Sequence, residues 1–218
     1  MEHPLYTIGH SDCDQMRFIE FLRQFHVQVV ADVRSSPFSR RNPQFNQEAL
    51  RHALRHVSIR YVFLGRELGA RRAEPECYVN GQAKYNLIEK TEVFRLGLER
   101  LRIGMQRLNV ALLCAEQDPI TCHRMILICK CLRKDNAEIR HIRRDGTYET
   151  NQQTETRLLS ALGLNAAFAN PAVVDQAYRL QAERIAYVNE SDSTNLVESD
   201  HCGPAYSTVS SCGLPFGF

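Results

Sequence analysis

Long apolar runs are absent from this sequence of 218 residues, and their absence excludes a membrane-spanning helix. The first eleven residues, MEHPLYTIGHS, lack a basic start and a long apolar stretch, so we expect no signal peptide. The eight cysteines do not form a secreted disulfide framework, because a chain of this length that is 44% hydrophobic builds an ordinary core. We therefore expect a cytoplasmic protein with reduced thiols.

Acidic residues are scarce in the middle of the chain. From Arg34 to Arg72 there are nine arginines against two acids, Glu48 and Glu67, whereas residues 186–218 contain four acids and no Lys or Arg. The sequence leaves the oligomeric state open. Solvated helix faces account for part of the arginines in this basic segment. The rest favours an anionic partner, either a phosphate-bearing small molecule or a nucleic acid, and no membrane.

Short apolar runs alternate with segments of helical spacing along most of the chain. The runs that predict strands are residues 5–8, 27–33, 59–64, 109–114 and 138–142. Between the first two, Phe18, Phe21, Leu22 and Phe25 repeat at the spacing of an amphipathic helix. This alternation is typical of crossover units. We predict one α/β domain over residues 1–163, Rossmann-like and three-layered, with a mainly parallel sheet of about five strands.

The remainder of the chain has weaker patterns. Residues 164–188 are predicted to form a C-terminal helical extension, with a helix from Val173 to Val188. Residues 189–218 are rich in Ser, Gly, Asn and Asp and have no period, so a disordered tail is predicted there. Cys202 and Cys212 lie in this tail, where nothing indicates a fold that a disulfide or metal would stabilise.

Polar residues follow every predicted strand. In an open parallel sheet the carboxyl ends of the strands share one edge, where ligands bind, so we expect these residues to line one crevice. The catalytic candidates are His10, Asp32, Glu116, Cys122 and His123. The candidates for binding an anionic substrate are Arg34, Ser39, Arg40, Glu67, Arg124 and His141.

The residue types indicate the chemistry of the crevice. Arginine forks bind phosphate or carboxylate, and the predicted helix starts after Ser11 and Pro119 offer N–H groups to an anion. Asp32 or Glu116 is the candidate general base, and His10 or His123 the candidate acid. Cys122 begins a predicted helix beside His123 and Arg124, an electropositive setting that lowers a thiol pKa.

Structural explanations stay open for several of these residues. Asp32 at a strand end also suits capping of backbone N–H groups, and Cys114 and Cys122 also suit burial in the core. A cysteine-phosphatase loop is rejected, because Arg124 lies ten residues after Cys114 and two after Cys122. The usual paired spacings of zinc ligands are missing, so no metal or other cofactor is predicted, with a divalent metal as the alternative.

Several ordered motifs resemble one bacterial family, catalogued as domain of unknown function 488. They are TIGHS at 7–11, DVRSSPFSR at 32–40, NPQFN at 42–46, YVFLGRELGARR at 61–72, LLCAEQDPITCHR at 112–124 and RHI at 140–142. The resemblance covers about residues 5–160 and implies a cytoplasmic α/β protein whose motif residues resemble an active site. The recurrent polar residues of that family correspond, by this resemblance, to the candidate residues named above and to Cys114. Ala70 departs from it, since a second glycine is expected after Gly69.

Three functional hypotheses follow. The first is an enzyme, a hydrolase or transferase, acting on a phosphate-bearing nucleotide or nucleic-acid substrate at the carboxyl edge of the sheet. The second is a nucleic-acid or nucleotide binding module without chemistry, which the arginine-rich segment favours. The third is a thiol-dependent transferase or redox protein that uses Cys122.

Overall fold

The structure of the protein is a computed structural model that describes residues 3–135, 137–166 and 170–189. The predicted tail, with Cys202 and Cys212, lies outside the described residues from residue 190 onwards. None of the helices in the described ranges is long and apolar enough to cross a membrane.

A six-stranded sheet organises the chain. Its strands and those of a small hairpin are β1 (Leu5–Gly9), β2 (Val29–Asp32), β3 (Arg60–Phe63), β4 (Tyr78–Val79), β5 (Gln82–Ala83), β6 (Val110–Cys114), β7 (Ile139–Ile142) and β8 (Tyr148–Thr150). The main sheet has the order β3-β2-β6-β1-β7-β8, and β4 and β5 pair separately. The first five strands of that order run parallel, and β8 pairs with β7 in the antiparallel direction. The predicted α/β fold with a mainly parallel sheet is confirmed.

Helices connect the parallel strands. They are α1 (Gln15–Gln24), α2 (Gln47–His56), α3 (Gly65–Leu68), α4 (Tyr85–Ile88), α5 (Glu92–Met105), α6 (Lys130–Leu132), α7 (Asn151–Ala161) and α8 (Pro171–Ile185). A π-helical segment covers Arg124–Cys129, directly before α6. Short 3₁₀ turns cover Pro43–Phe45, Pro75–Cys77, Pro119–Thr121 and Arg133–Asp135.

Two apolar clusters fill the space between the sheet and the helices. On one face, side chains such as Val30 and Leu113 pack against Phe18 of α1 and Leu50 of α2. The larger cluster, on the opposite face, includes α5 and α8, and Tyr178 of α8 is fully buried in it. Because successive strand residues point to opposite faces, β1, β2 and β6 supply both clusters and are buried along their whole lengths. The helical extension therefore belongs to the packed core.

The structure corrects several predicted helix boundaries. Asp14, and not Ser11, caps α1, because its carboxylate accepts hydrogen bonds from the backbone N–H groups of Met16 and Arg17. Between β5 and β6 the chain forms two helices, α4 and α5, and the Thr91 hydroxyl caps α5. After Pro119 a 3₁₀ turn and the π-helical segment replace the predicted α-helix.

Two glycines allow the loops after the strands to approach closely. A Cβ atom at Gly9 would lie 1.8 Å from the carbonyl oxygen of Glu116, and one at Gly65 would lie 2.0 Å from that of Arg34. Any other residue would push these loops apart. The two contacts draw the segments after β1 and β3 against those after β6 and β2, at the carboxyl edge of the sheet.

Candidate functional site at the carboxyl edge of the sheet

A cleft of about 740 Å³ opens at this edge. The segments after four strands line it: residues 10–12 after β1, residues within 34–42 after β2, residues 70–71 beyond β3, and residues 114–116 with 121–123 after β6. The segment after β7 does not line this cleft. Four of the five strand ends therefore converge on one site.

The predicted site residues divide into two groups. Those that line the cleft are His10, Arg34, Ser39, Glu116, Cys122 and His123. Those outside its lining are Asp32, Arg40, Glu67, Arg124 and His141. Arg40 is exposed beside the cleft, and Glu67 forms an ion pair with Arg100 of α5.

Asp32 lies beneath the cleft and is fully buried. Its Oδ1 accepts hydrogen bonds from the Nε and backbone N of Arg34 at 2.9 and 3.1 Å. Its Oδ2 accepts from Arg34 Nη2 at 2.5 Å and from the Tyr61 hydroxyl at 2.7 Å. Burial and the adjacent Asp32 charge raise the pKa of Tyr61, so this hydroxyl stays protonated and donates. The carboxylate is thus saturated by groups that hold Arg34 in place.

His10 connects this ion pair to the cleft. Its ring stacks on Phe45 with centroids 4.5 Å apart. Nε2 lies 3.2 Å from Arg34 Nη1, which is always a donor, so Nε2 accepts and Nδ1 donates to the Ser11 carbonyl at 2.9 Å. Burial, reinforced by the Arg34 charge, lowers the pKa of His10. The imidazole is therefore neutral near neutral pH, with both nitrogens engaged.

Arg124 is fully buried behind the cleft. Its guanidinium donates to the carbonyl oxygens of Glu116 and Gln117 and to the Thr7 hydroxyl. These bonds shape the loop after β6. Thr7 in turn lies 2.8 Å from Nδ1 of His141, whose Nε2 lies 3.1 Å from Asn151 Oδ1. Arg124 and His141, which were predicted to bind an anion, are therefore parts of an internal hydrogen-bond network.

The buried imidazole of His141 makes stability depend on pH. Burial, together with the charge of Arg124, lowers its pKa to about 4, although Asn151 and Glu149 act in the opposite direction. In the unfolded chain a histidine titrates near pH 6.5, so below that pH only the unfolded state gains this proton. We expect the free energy of unfolding to fall as pH drops from about 6.5 to about 4, by up to about 3 kcal/mol.

Urea unfolding at several pH values in this window measures the effect. His10 contributes in the same direction, so the comparison that isolates His141 is wild type against His141→Gln, which keeps hydrogen-bonding groups without the titration. The variant should lose much of the decline in acid. Equal declines in the two proteins would show that His141 is protonated in the folded state.

Two thiols and an imidazole meet at the floor of the cleft. Cys114 ends β6, Cys122 follows the 3₁₀ turn after it, and both are almost completely buried. Nε2 of His123 lies 3.0 Å from the carbonyl oxygen of Val33, which only accepts, so Nε2 carries the proton. The lone pair of Nδ1 therefore faces the Sγ atoms of Cys114 and Cys122, at 3.6 and 4.0 Å.

The two thiols are electrostatically different. Burial opposes ionisation of Cys122, but a hydrogen bond from Cys114 and the Arg124 charge hold the pKa of the Cys122 thiol well below its usual range. The hydrogen bond to Cys122 and burial raise the pKa of Cys114 well above its usual range. Cys122 is thus the thiol of the pair that loses its proton more readily.

A family model for "Domain of unknown function DUF488" matches residues 14–130, which is more than half of the chain. The chain belongs to this family. The resemblance inferred from the motifs is thereby confirmed at the level of the family. No curated protein and no solved structure matches the chain significantly.

The DUF488 match contains the Asp32–Arg34 pair and the cluster of Cys114, Cys122 and His123, whereas His10 and His141 lie outside it. It also ends before α8. Ile185 at the end of α8 and Tyr187 just after it line the cleft. The carbonyl oxygen of Tyr187 accepts from the backbone N–H of Ala83 at 2.8 Å. This part of the site lies outside the matched region.

Cleft residues absent from the predicted set include Arg41, Arg71, Tyr85 and Tyr187. Arg71 had a signal in the sequence, since it follows the third predicted strand, whereas Tyr187 had none. The two predicted helix N-termini are already occupied by carboxylates of the chain, Asp14 at α1 and Asp118 at the 3₁₀ turn after β6. Side chains, and not these helix starts, therefore supply the positive charge of the cleft.

Proposed function

We propose that this DUF488 protein is an enzyme, a hydrolase or transferase, that acts on a phosphate-bearing nucleotide or nucleic-acid substrate in the cleft. One observation carries the proposal. Arginine side chains on the wall and the cluster of Cys114, Cys122 and His123 on the floor line the same cleft. The first group suits the binding of an anion, and the second is chemically reactive.

The phosphate is assigned to Arg41 and Arg71. Arg71 is exposed in the cleft, and its guanidinium lies 4.6 Å from the ring centroid of Tyr187, which orients it. Arg41 is also exposed and has no ion-pair partner in the described part of the chain. The charge of Arg34, by contrast, is balanced by Asp32. Both guanidinium groups can therefore donate paired hydrogen bonds to phosphate oxygens.

The proton acceptor is assigned to Glu116. Of the described residues that line the cleft, two are carboxylates, and Asp12 among them forms an ion pair with Arg144. Glu116 is exposed and forms no ion pair among the described residues. Asp32, saturated by Arg34 and Tyr61, acts as a positioning residue in this proposal. A binding module without chemistry would need the arginines but neither Glu116 nor the reactive cluster.

Replacement of Arg71 by Ala tests the anion site. In a thermal-shift screen of nucleotides, sugar phosphates and short DNA and RNA, a ligand at about a hundred times its dissociation constant adds roughly 2.7 kcal/mol of stability to wild type. We expect Arg71→Ala to weaken that ligand by about tenfold to a hundredfold, since a hydrogen bond to a charged group contributes roughly 1.5–3 kcal/mol.

The matched control is Arg95→Ala, which removes an exposed arginine of α5 that does not line the cleft. It should bind the ligand as wild type does. Equal weakening in both variants would mean that only net charge matters, and failure of every phosphate-bearing compound to stabilise wild type would refute the proposal.

A further inference from the structure

We propose that Cys114, Cys122 and His123 bind a divalent thiophilic metal ion, Zn²⁺ in the first place, and leave its fourth coordination position open to the cleft. The three residues are a potential ligand set whose ligand atoms all lie within 4.8 Å of one another. The use of the open position on a substrate rests on the proposed function, whereas the metal site itself stands on the geometry of the three side chains.

The separations of the ligand atoms fit a tetrahedral ion. With Zn–S bonds of about 2.3 Å and Zn–N bonds of about 2.0–2.1 Å, tetrahedral angles place sulfur and nitrogen about 3.6 Å apart and two sulfurs about 3.8 Å apart. Nδ1 of His123 lies 3.6 Å from Cys114 Sγ and 4.0 Å from Cys122 Sγ. The two Sγ atoms lie within 4.8 Å of each other. Changes of about an ångström or less in these separations therefore allow a single ion to bind all three atoms.

His123 is already in the tautomer that a metal requires. Its Nε2–H donates to the carbonyl oxygen of Val33 at 3.0 Å, which leaves Nδ1 unprotonated and directed at the two thiols. Metal-bound histidines in proteins commonly donate their other ring N–H to a carbonyl or carboxylate in this way, which fixes the ring and makes the ligand more basic. Val33 follows β2, so the sheet itself sets the orientation of the ring.

The surroundings compensate the charge of bound thiolates. The backbone N–H of Arg124 lies 3.5 Å from Cys122 Sγ and donates to it. The guanidinium of Arg124 is buried close by and forms no ion pair with any described residue, since its hydrogen bonds go to carbonyl and hydroxyl oxygens. Its positive charge favours an anionic ligand set at the cluster. This arrangement gives Arg124 a part in the site although it does not line the cleft.

Three protein ligands with a fourth position open is the arrangement of catalytic zinc sites, as distinct from closed structural sites with four. In the described residues the cluster has three members, and all of them line the cleft. A water molecule or a phosphate oxygen of the substrate would complete the coordination from the cleft side. There the ion would polarise that oxygen in the cleft that Arg41, Arg71 and Glu116 also line.

Titration of the tag-free full-length protein with Co²⁺ after removal of metal by a chelator tests the site. Wild type should bind one ion per chain, with thiolate-to-cobalt charge-transfer absorption in the near ultraviolet and the intense visible bands of tetrahedral Co²⁺. Cys122→Ala and His123→Ala should lose the tetrahedral spectrum. Circular dichroism of the metal-free proteins shows whether each variant is folded, and His123 is the more exposed of the two positions.

Two control variants test whether thiols outside the cluster contribute to the cobalt spectrum. Cys131→Ala removes a partly buried cysteine of α6, and the double variant Cys202→Ala with Cys212→Ala removes the cysteines of the C-terminal segment. Both should retain the wild-type spectrum. A wild type that binds no Co²⁺, or a folded Cys122→Ala variant that keeps the spectrum, overturns the metal site.

Inorganic phosphate added to the cobalt-loaded wild type tests the open position. A change in the visible bands is expected as phosphate enters the coordination sphere, and unchanged bands at saturating phosphate would show that the position is closed. Phosphate-ligand binding to metal-free wild type and Arg71→Ala is measured separately. If wild type binds the phosphate ligand but no Co²⁺, the metal inference is refuted and the proposed function is not. If wild type binds Co²⁺ but no phosphate ligand, the proposed function is refuted and the metal site is not.

Discussion

Replacement of Asp32 by Asn should lower the free energy of unfolding by about 3–5 kcal/mol, the range observed when one partner of a buried ion pair is removed. Arg34 is only 5% exposed and cannot lose its proton, so without the Asp32 charge it remains as an uncompensated buried cation. The Asn side chain also cannot accept all four hydrogen bonds that Asp32 accepts from Arg34 and Tyr61.

Chemical denaturation of Asp32→Asn and Tyr61→Phe separates charge from hydrogen bonding. Tyr61→Phe removes one bond to the same carboxylate and should cost about 1 kcal/mol. The double variant Asp32→Asn with Arg34→Met should recover much of the loss, because no unpaired charge then remains. If Asp32→Asn were no worse than Tyr61→Phe, the ion pair would not stabilise the base of the cleft.

The sequence predicted the central strands well because a strand covered on both faces must be apolar throughout. β2 and β6 consist almost entirely of apolar, fully buried residues. The edge strand β8 escaped prediction, since it has three partly exposed residues and pairs only through its contact with β7. The two-residue strands β4 and β5 are likewise too short to produce a period.

The location of the site was also predictable, since the carboxyl ends of parallel strands share an edge in any such sheet. The direction of each side chain was not. Asp32 and Arg124 are polar residues at that edge, yet both point into internal networks that their long-range partners create. Residue type and order reveal which side chains gather at the edge, but the partners that saturate them come from distant segments.

The thiol–imidazole cluster of Cys114, Cys122 and His123 was likewise not predictable from the sequence as a set. Cys122 and His123 are adjacent in the chain and Cys114 lies on the strand before them, so no paired ligand spacing marks the set. The 3₁₀ turn at Pro119–Thr121 folds the chain back and brings the three ligand atoms together. Similarly, Tyr187 reaches the cleft only because α8 packs into the core and the chain after it pairs with Ala83.

Replacement of Glu116 by Gln should slow turnover of the phosphate-bearing substrate by about 10²–10⁴-fold, the contribution typical of a positioned general base. Gln has nearly the same size but cannot accept a full proton at neutral pH, so binding of the substrate should change little. The matched control is Asp12→Asn, which neutralises the other carboxylate of the cleft, already paired with Arg144. It should keep turnover within a few fold of wild type.

Single-turnover kinetics of wild type, Glu116→Gln and Asp12→Asn show whether the cleft is catalytic, with the phosphate-bearing ligand that stabilises wild type most as the substrate. We expect product formation by wild type and Asp12→Asn, and a large loss of rate in Glu116→Gln at unchanged affinity for the ligand. A tightly bound ligand that wild type never converts, or equal rates in wild type and Glu116→Gln, would contradict an enzyme that works in this cleft with Glu116 as its base.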